Sequence, residues 1–231
     1  MGEHAMLGRP GFAALALAAA TSGAMSAEAT IGDVSINLPT PVSFCELIDR
    51  EPSDKRLIDY AADRVAKGGN KVLGISADCQ QLVDWRAGKR KTLDDYVQYH
   101  TPISAMKESV PAARIKETCT VLRAEGDKLV SNTVQDMKTR IEQSPAGIKL
   151  NEASFLGVVD EEPSACYAAT MMKMTGEIGT KTQVAIIAHT VVKNKWVIVY
   201  RFALYLNFDS VTNGLAQLKT NVVALLAANQ P

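Results

Sequence analysis

The strongest hydrophobic pattern lies between Gln183 and Leu206, where two runs rich in Val, Ile, Phe and Tyr flank the polar Lys193-Asn194-Lys195. Such runs read as strands, and Asn tolerates the left-handed backbone of a tight turn, so the stretch predicts an antiparallel β-hairpin. With Asn194 and Lys195 as turn residues, Val192 faces Val197, Val191 faces Ile198 and His189 faces Tyr200. Side chains alternate between the faces of a strand. One face then carries Ala185, Ile187, His189, Val191, Ile198, Tyr200, Phe202 and Leu204. The other carries Val184, Ile186, Ala188, Val192, Val197, Val199 and Ala203. Both sets are almost wholly apolar, which predicts a central pair in a sheet covered on both sides.

The rest of the chain supplies the remaining elements. Val34, Ile36 and Leu38 alternate with polar neighbours, Pro39-Thr40-Pro41 turns the chain, and Val42 to Leu47 reads as a second strand. Leu57, Ile58, Ala61, Ala62 and Val65 recur at helical spacing after Glu51-Pro52-Ser53, and Gly68-Gly69 stops that helix. Lys71 to Val83 reads as a third strand. Thr92, with Asp95 three residues on, predicts a capped helix using Leu93, Tyr96 and Val97 as its inner face and ending at His100-Thr101-Pro102. From Pro111 a long helix runs through Ile115, Cys119, Leu122, Leu129, Thr133, Met137 and Ile141, with Gly126-Asp127 as an interruption and Ser144-Pro145-Ala146-Gly147 as its end. Phe155 to Asp160 and Ala165 to Thr175 read as strands ahead of the hairpin, and Val211, Leu215, Leu218, Val222 and Leu225 mark a closing helix. This order predicts an α+β fold, a mainly antiparallel sheet with helices on both faces, in a single domain from residue 30 to residue 231 with a helical segment over 104–143.

Residues 1–29 read differently. Arg9, the apolar run Phe12 to Ala20 and the small residues that follow match an export signal, with cleavage after Ala24, Ala27 or Ala29. No cysteine stands at that junction to carry a lipid anchor. The run is too short to span a bilayer. The mature chain is therefore expected outside the cytoplasm, in a bacterial periplasm or secreted, with no stable membrane insertion. Cys45, Cys79, Cys119 and Cys166 are even in number and suit two disulfides in an oxidising compartment. Sequence order does not choose among the three pairings; the expected one joins Cys45 to Cys79, on adjoining strands, and Cys119 to Cys166. None has the spacing of a redox or zinc motif.

The opening Ile36-Asn37-Leu38-Pro39 hairpin, the first and middle helices, the four-strand meander centred on Val191-Val192-Lys193-Asn194-Lys195-Trp196-Val197-Ile198-Val199-Tyr200 and the closing helix resemble the PsbP-like superfamily, which includes DcrB-like bacterial envelope proteins. The resemblance covers nearly the whole mature chain and lies in architecture and hydrophobic pattern. It implies an α/β/α sandwich and an accessory or binding role without catalysis. The long segment Ser104 to Gln143 and the lack of a lipid-anchor cysteine depart from it, and no functional residue is carried over.

Charge adds little direction, since 25 basic residues balance 25 acidic ones. Nucleic acid is not an expected partner, and Lys89-Arg90-Lys91 reads as a solvated loop. His100 and His189 are the only histidines after the leader, too few for a multi-histidine metal site, and no cofactor is expected. Met171, Met172 and Met174 supply soft thioethers of the kind that select Cu(I), with His189 as a possible neighbour, although methionines in a strand more often fill core. Asp94-Asp95 and Asp160-Glu161-Glu162 suit a helix cap and a turn better than a pair of catalytic carboxylates. No G-x-S-x-G elbow or glycine-rich phosphate loop occurs. Trp85, Arg86, Tyr96, Tyr99 and His100 form the best candidate recognition cluster, because Trp, Tyr and Arg combine contact area with hydrogen bonding. The same aromatics would equally anchor a helix to the sheet. The expected function is a non-catalytic envelope protein that binds another protein or a small ligand; the alternative is a hydrolase or other enzyme whose site assembles only in space.

Overall fold

The computed structural model describes residues 26–142, 147–177 and 179–230. Its elements are β1 (Ser26–Ile31), β2 (Val34–Pro39), β3 (Phe44–Glu46), α1 (Pro52–Lys67), β4 (Asn70–Asp78), α2 (Cys79–Arg86), β5 (Tyr96–Pro102), a 3-10 turn (Ile103–Ala105), α3 (Arg114–Glu142), β6 (Lys149–Glu162), β7 (Ala165–Gly176), β8 (Gly179–Val192), β9 (Lys195–Leu204) and α4 (Asp209–Ala227). β1 and β2 pair with each other, and the other seven strands form an antiparallel sheet in the order β3-β4-β5-β9-β8-β7-β6. The fold is the α+β architecture that the hydrophobic pattern predicts.

The central hairpin forms with a different turn. Lys193 and Asn194, both at positive φ (46° and 59°), make a two-residue turn whose handedness matches the twist of the flanking strands. Val192 therefore faces Lys195, His189 faces Ile198 and Ile187 faces Tyr200. This register differs from the sequence reading by two residues, so every side chain keeps its predicted face. Lys195 belongs to the strand because its buried ammonium donates to the carbonyl oxygens of Met106 and Glu108, at 3.1 Å each.

Four other expectations change. Residues 96–102, read as part of a helix, form β5, with Val97, Tyr99 and Thr101 buried together on one face, paired to β4 and β9. Period two won over the i, i+3, i+4 spacing because both neighbours of this strand are long-range partners. Residues 79–83, read as the tail of a strand, open α2, capped where the Asp78 carboxylate accepts from the Gln81 amide. Residues 26–29, read as the end of the leader, lie in β1, so cleavage after Ala27 or Ala29 would cut that strand and cleavage after Ala24 would spare it. The apolar run Phe12 to Ala20 lies outside the described residues. So do three of the four residues read as the end of the long helix, Ser144, Pro145 and Ala146. Gly126 does not interrupt α3; it lets the Phe155 ring of β6 press onto the helix, 2.1 Å from where a Cβ would stand.

The two faces of the sheet are covered unequally. On one, α4 and the β1-β2 hairpin bury Val184, Ile186, Ala188, Val192, Val197 and Val199 to 2% exposure or less. The Asn229 side chain clasps these two covers, exchanging hydrogen bonds of 2.9 and 2.8 Å with the Asn37 backbone. On the opposite face, α1 and α2 pack on the β3-β4 edge and α3 packs on β6 and β7. Both expected disulfides are present. Cys45–Cys79 ties β3 to the start of α2, and Cys119–Cys166 ties α3 to β7.

Candidate functional site

The five residues chosen from sequence do not converge on one surface. Arg86 of α2 reaches the fully buried Asp54 at the start of α1, with Nε at 3.0 Å and Nη2 at 2.5 Å from its two oxygens, and donates to the Glu46 carbonyl oxygen at 3.3 Å. Asp54 also accepts from the Ile48 amide at 3.1 Å. This charge-assisted set joins α2, α1 and the segment after β3, and its work is structural. Trp85 is half-buried against Leu47, Ala61, Ile75 and Leu82 and anchors α2 to the sheet. Tyr99 points to the face covered by α4, where its hydroxyl lies 2.6 Å from the Pro39 carbonyl oxygen and 2.8 Å from Asn221 Oδ1. One hydroxyl proton serves only one of these. Turning the Asn221 amide over would present Nδ2, which otherwise has no partner, to the Tyr99 oxygen and satisfy both contacts. Trp85, Arg86 and Tyr99 are thus structural residues.

Tyr96 and His100 do belong together, with partners that the sequence reading had not joined to them. Both lie on the face away from α4. Tyr96 stacks on Phe202 at 4.5 Å, Phe202 stands 5.9 Å from Tyr200, and Tyr200 lies 4.6 Å from the His100 ring. On the far side of Ile198, His189 of β8 stands 6.0 Å from Trp196. The result is a strip of aromatic side chains across β5, β9 and β8, between the α1-α2 layer and α3. Tyr96, Tyr200, Phe202, His189 and Trp196 are half-buried, as is the neighbouring Ile187. The signal for this strip was already in the hairpin pattern, which put His189, Tyr200 and Phe202 on one face. What the pattern lacked was the position of the helices.

Burial sets the ionisation of the strip. It lowers His100 and His189 to a pKa of about 4, so both rings are neutral at pH 7, and it pushes Tyr200 up to about 12. His100 Nε2 lies 2.9 Å from Gln98 Oε1. His189 Nδ1 and Trp196 Nε1 are buried with no protein partner. Burial also raises Tyr96, whose hydroxyl is bonded to Gln183. The strip presents flat rings and a few neutral hydrogen-bonding atoms. That chemistry suits stacking and apolar contact with an uncharged group.

The other charged candidate clusters are satisfied by ion pairs within the fold. Asp94 is held between Arg90 and Lys181, and Asp95 pairs with the buried Arg201 at 3.0 Å. Burial raises the Asp95 carboxyl and Arg201 opposes that rise. Asp160 and Glu162 pair with Lys219, and Glu161 with Arg123. Met172 packs with Leu150 and Ala185 as core, six residues along β7 from Cys166, the cross-strand partner of His189, a distance of roughly 20 Å. The methionines and His189 therefore do not make a copper site. Among the described residues no group of three or more His, Cys, Asp or Glu is placed to hold a metal ion, and no helix is long and apolar enough to cross a membrane.

No family model matches the chain, and no curated protein matches it. Among solved structures the chain is similar to the Saccharomyces cerevisiae Ran-binding protein Mog1p at 8% identity, over 89% of this chain and 92% of that one, with a TM-score of 0.30. A likeness that distant carries no argument about what this chain binds.

Proposed function

We propose that the protein is a non-catalytic binding or accessory protein of the bacterial envelope, and that the aromatic strip across β5, β9 and β8 is its recognition surface. One observation carries the reading. Six apolar or aromatic side chains stay half-buried in the middle of a sheet on whose opposite face Val184, Ile186, Ala188, Val192, Val197 and Val199 are exposed by 2% or less. A face left open between two helical layers is a place for a partner or ligand to complete the core. The two disulfides are compatible with an extracytoplasmic location, which the leader-like residues 1–29 also support. The hydrophobic pattern's resemblance to the PsbP-like superfamily supports an accessory role.

Crosslinking of the tagged protein in its native envelope, followed by mass spectrometry, tests the reading. One reproducible partner in near-stoichiometric amount, lost in a Tyr200→Ser variant that keeps its fold, is the expected result. A partner retained by Tyr200→Ser would move the surface elsewhere. Turnover of an ester, amide or phosphate substrate by the purified protein would overturn the non-catalytic reading.

A further inference from the structure

The three most exposed large apolar side chains among the described residues are Val42 (91%), Leu206 (82%) and Phe208 (70%), and all three sit at one end of the sheet. The register fixes this placement. β3 begins at Phe44 opposite Asp78, β4 ends beside the start of β5, Tyr96 pairs with Phe202 near the end of β9, and Gln183 near the start of β8 pairs with Leu204. The loops 40–43, 87–95 and 205–208 and the end of β7 at Gly176 therefore share that end, as the Lys91–Glu177 and Lys181–Asp94 ion pairs show directly.

The loop that carries Leu206 and Phe208 is built to hold them out. The Tyr205 amide donates to the Thr182 carbonyl oxygen at 2.9 Å, the Leu206 amide to Ser210 Oγ at 3.0 Å and the Asp209 amide to Asn207 Oδ1 at 2.9 Å. The Ser210 amide closes on the Asn207 carbonyl oxygen at 3.1 Å, and α4 begins. With its amides bound in this way, the loop presents Leu206 and Phe208 without further ordering, and a preorganised surface binds at lower entropic cost. The charge around it is not neutral, although the chain as a whole is. Segments 87–95, 147–149, 176–181 and 205–209 carry Lys89, Arg90, Lys91, Lys149 and Lys181 against Asp94, Asp95, Glu177 and Asp209, and Asp95 is already paired with the buried Arg201.

We infer that this end of the sheet docks on an anionic lipid surface, with Leu206 and Phe208 entering the headgroup and acyl boundary and the exposed Lys89, Lys91 and Lys149 meeting lipid phosphates. Two apolar side chains held rigidly in water beside an excess of cations have the chemistry of a peripheral membrane contact. Binding is shallow and reversible. It uses a different part of the molecule from the aromatic strip, so each surface can fail alone.

Sedimentation of the purified protein with vesicles tests it, comparing phosphatidylethanolamine:phosphatidylglycerol 3:1 with pure phosphatidylcholine. The expected result is binding to the anionic vesicles that weakens with salt, and a loss of at least about tenfold in the double variant Leu206→Ser/Phe208→Ser, since both apolar side chains leave the contact. Both positions are exposed, so an unchanged near-ultraviolet circular dichroism spectrum is expected for the variant. No binding to anionic vesicles overturns the inference. So does binding that the double variant retains, which would place the contact elsewhere in the chain. Concentration-dependent self-association that the double variant abolishes, without vesicle binding, would also overturn it and assign the patch to a second copy of the chain.

Discussion

The two faces of the seven-stranded sheet are made by the same strands and yet behave differently. On the α4 side, the alternate residues of β8 and β9 meet a helix and a hairpin that are clasped together by Asn37 and Asn229, and Val184, Ile186, Ala188, Val192, Val197 and Val199 are exposed by 2% or less. On the other side, two helical layers stand at opposite edges, and the aromatic row between them is half-covered. The first face stabilises the fold. The second is the part of the fold with contact area to offer, and substitutions on the two faces separate these roles.

The largest contrast is expected between Leu218 and Tyr200. Leu218 of α4 is fully buried in the sealed core, so Leu218→Ala removes a packed side chain and leaves a cavity, at a cost of about 2–5 kcal/mol. Tyr200→Ala removes a larger ring from a strip that stays only half-buried, and is expected to cost less than Leu218→Ala. Urea unfolding of both variants measures the difference. Equal losses would mean that the strip is as closed as the α4 face, and the proposed recognition surface would go with it.

The disulfides sharpen the comparison next. Cys119–Cys166 fastens α3 to β7 and so fixes one wall of the strip, across a sequence separation of 47 residues. Its removal by paired Cys→Ala substitution is expected to cost about 2–4 kcal/mol. Hydrogen exchange should then quicken in α3 and β6 and leave α4 unchanged. Faster exchange in α4 would show that the two layers are coupled more tightly than their separate clusters suggest.

Mild acid probes the open face through its histidines, because both histidines of the described chain lie there. His100 and His189 have native pKa values near 4, below the ordinary 6.5, so the native state binds fewer protons than the unfolded state between those values. Stability from these groups is therefore complete above pH 6.5 and is lost as pH falls toward 4, by at most about 3 kcal/mol for His100 and less for the half-buried His189. Unfolding free energies measured from pH 7.5 to 4.5 should fall along this range, and the fall should flatten in a His100→Gln/His189→Gln variant. An unchanged slope in that variant would mean that carboxylates govern the acid limb.

Much of this contrast could be read in the residues before any coordinates. The hairpin, both of its faces, the long middle helix and the closing helix follow from local pattern, and the even cysteine count predicts two disulfides without choosing their pairing. The misreadings share a cause, which is that a neighbour far away in sequence decided the outcome. Tyr96 to Pro102 carries enough helical spacing to suggest a helix until β4 and β9 pair with it on both sides. Asn194-Lys195 is a reasonable turn until the Lys195 ammonium finds the carbonyl oxygens of Met106 and Glu108. The recognition strip was illegible for the same reason. His189, Tyr200 and Phe202 were known to share a face, but whether a helix lies over them depends on where α1 and α3 settle. Trp85, Arg86 and Tyr99 drew attention by residue type, and their partners Asp54, Pro39 and Asn221 lie 32 to 122 residues away.

The smallest expected effect is also the most specific to one face at a time. Tyr99 and Tyr200 are both on central strands, and a Phe substitution removes a single oxygen from each. On the sealed side the Tyr99 hydroxyl bridges β2 and α4 through Pro39 and Asn221, so Tyr99→Phe removes both contacts and leaves the Asn221 amide unpaired. A loss of about 1–2 kcal/mol follows. On the open side, burial alone raises the Tyr200 hydroxyl and no hydrogen bond contributes, so Tyr200→Phe is expected to be neutral within about 0.5 kcal/mol. Partner or ligand binding should respond in the opposite order, unchanged by Tyr99→Phe and weakened by Tyr200→Phe if the bound group accepts from that hydroxyl. A stability loss at Tyr200 as large as that at Tyr99 would show that the hydroxyl has a partner within the fold, and the strip would then be core rather than surface.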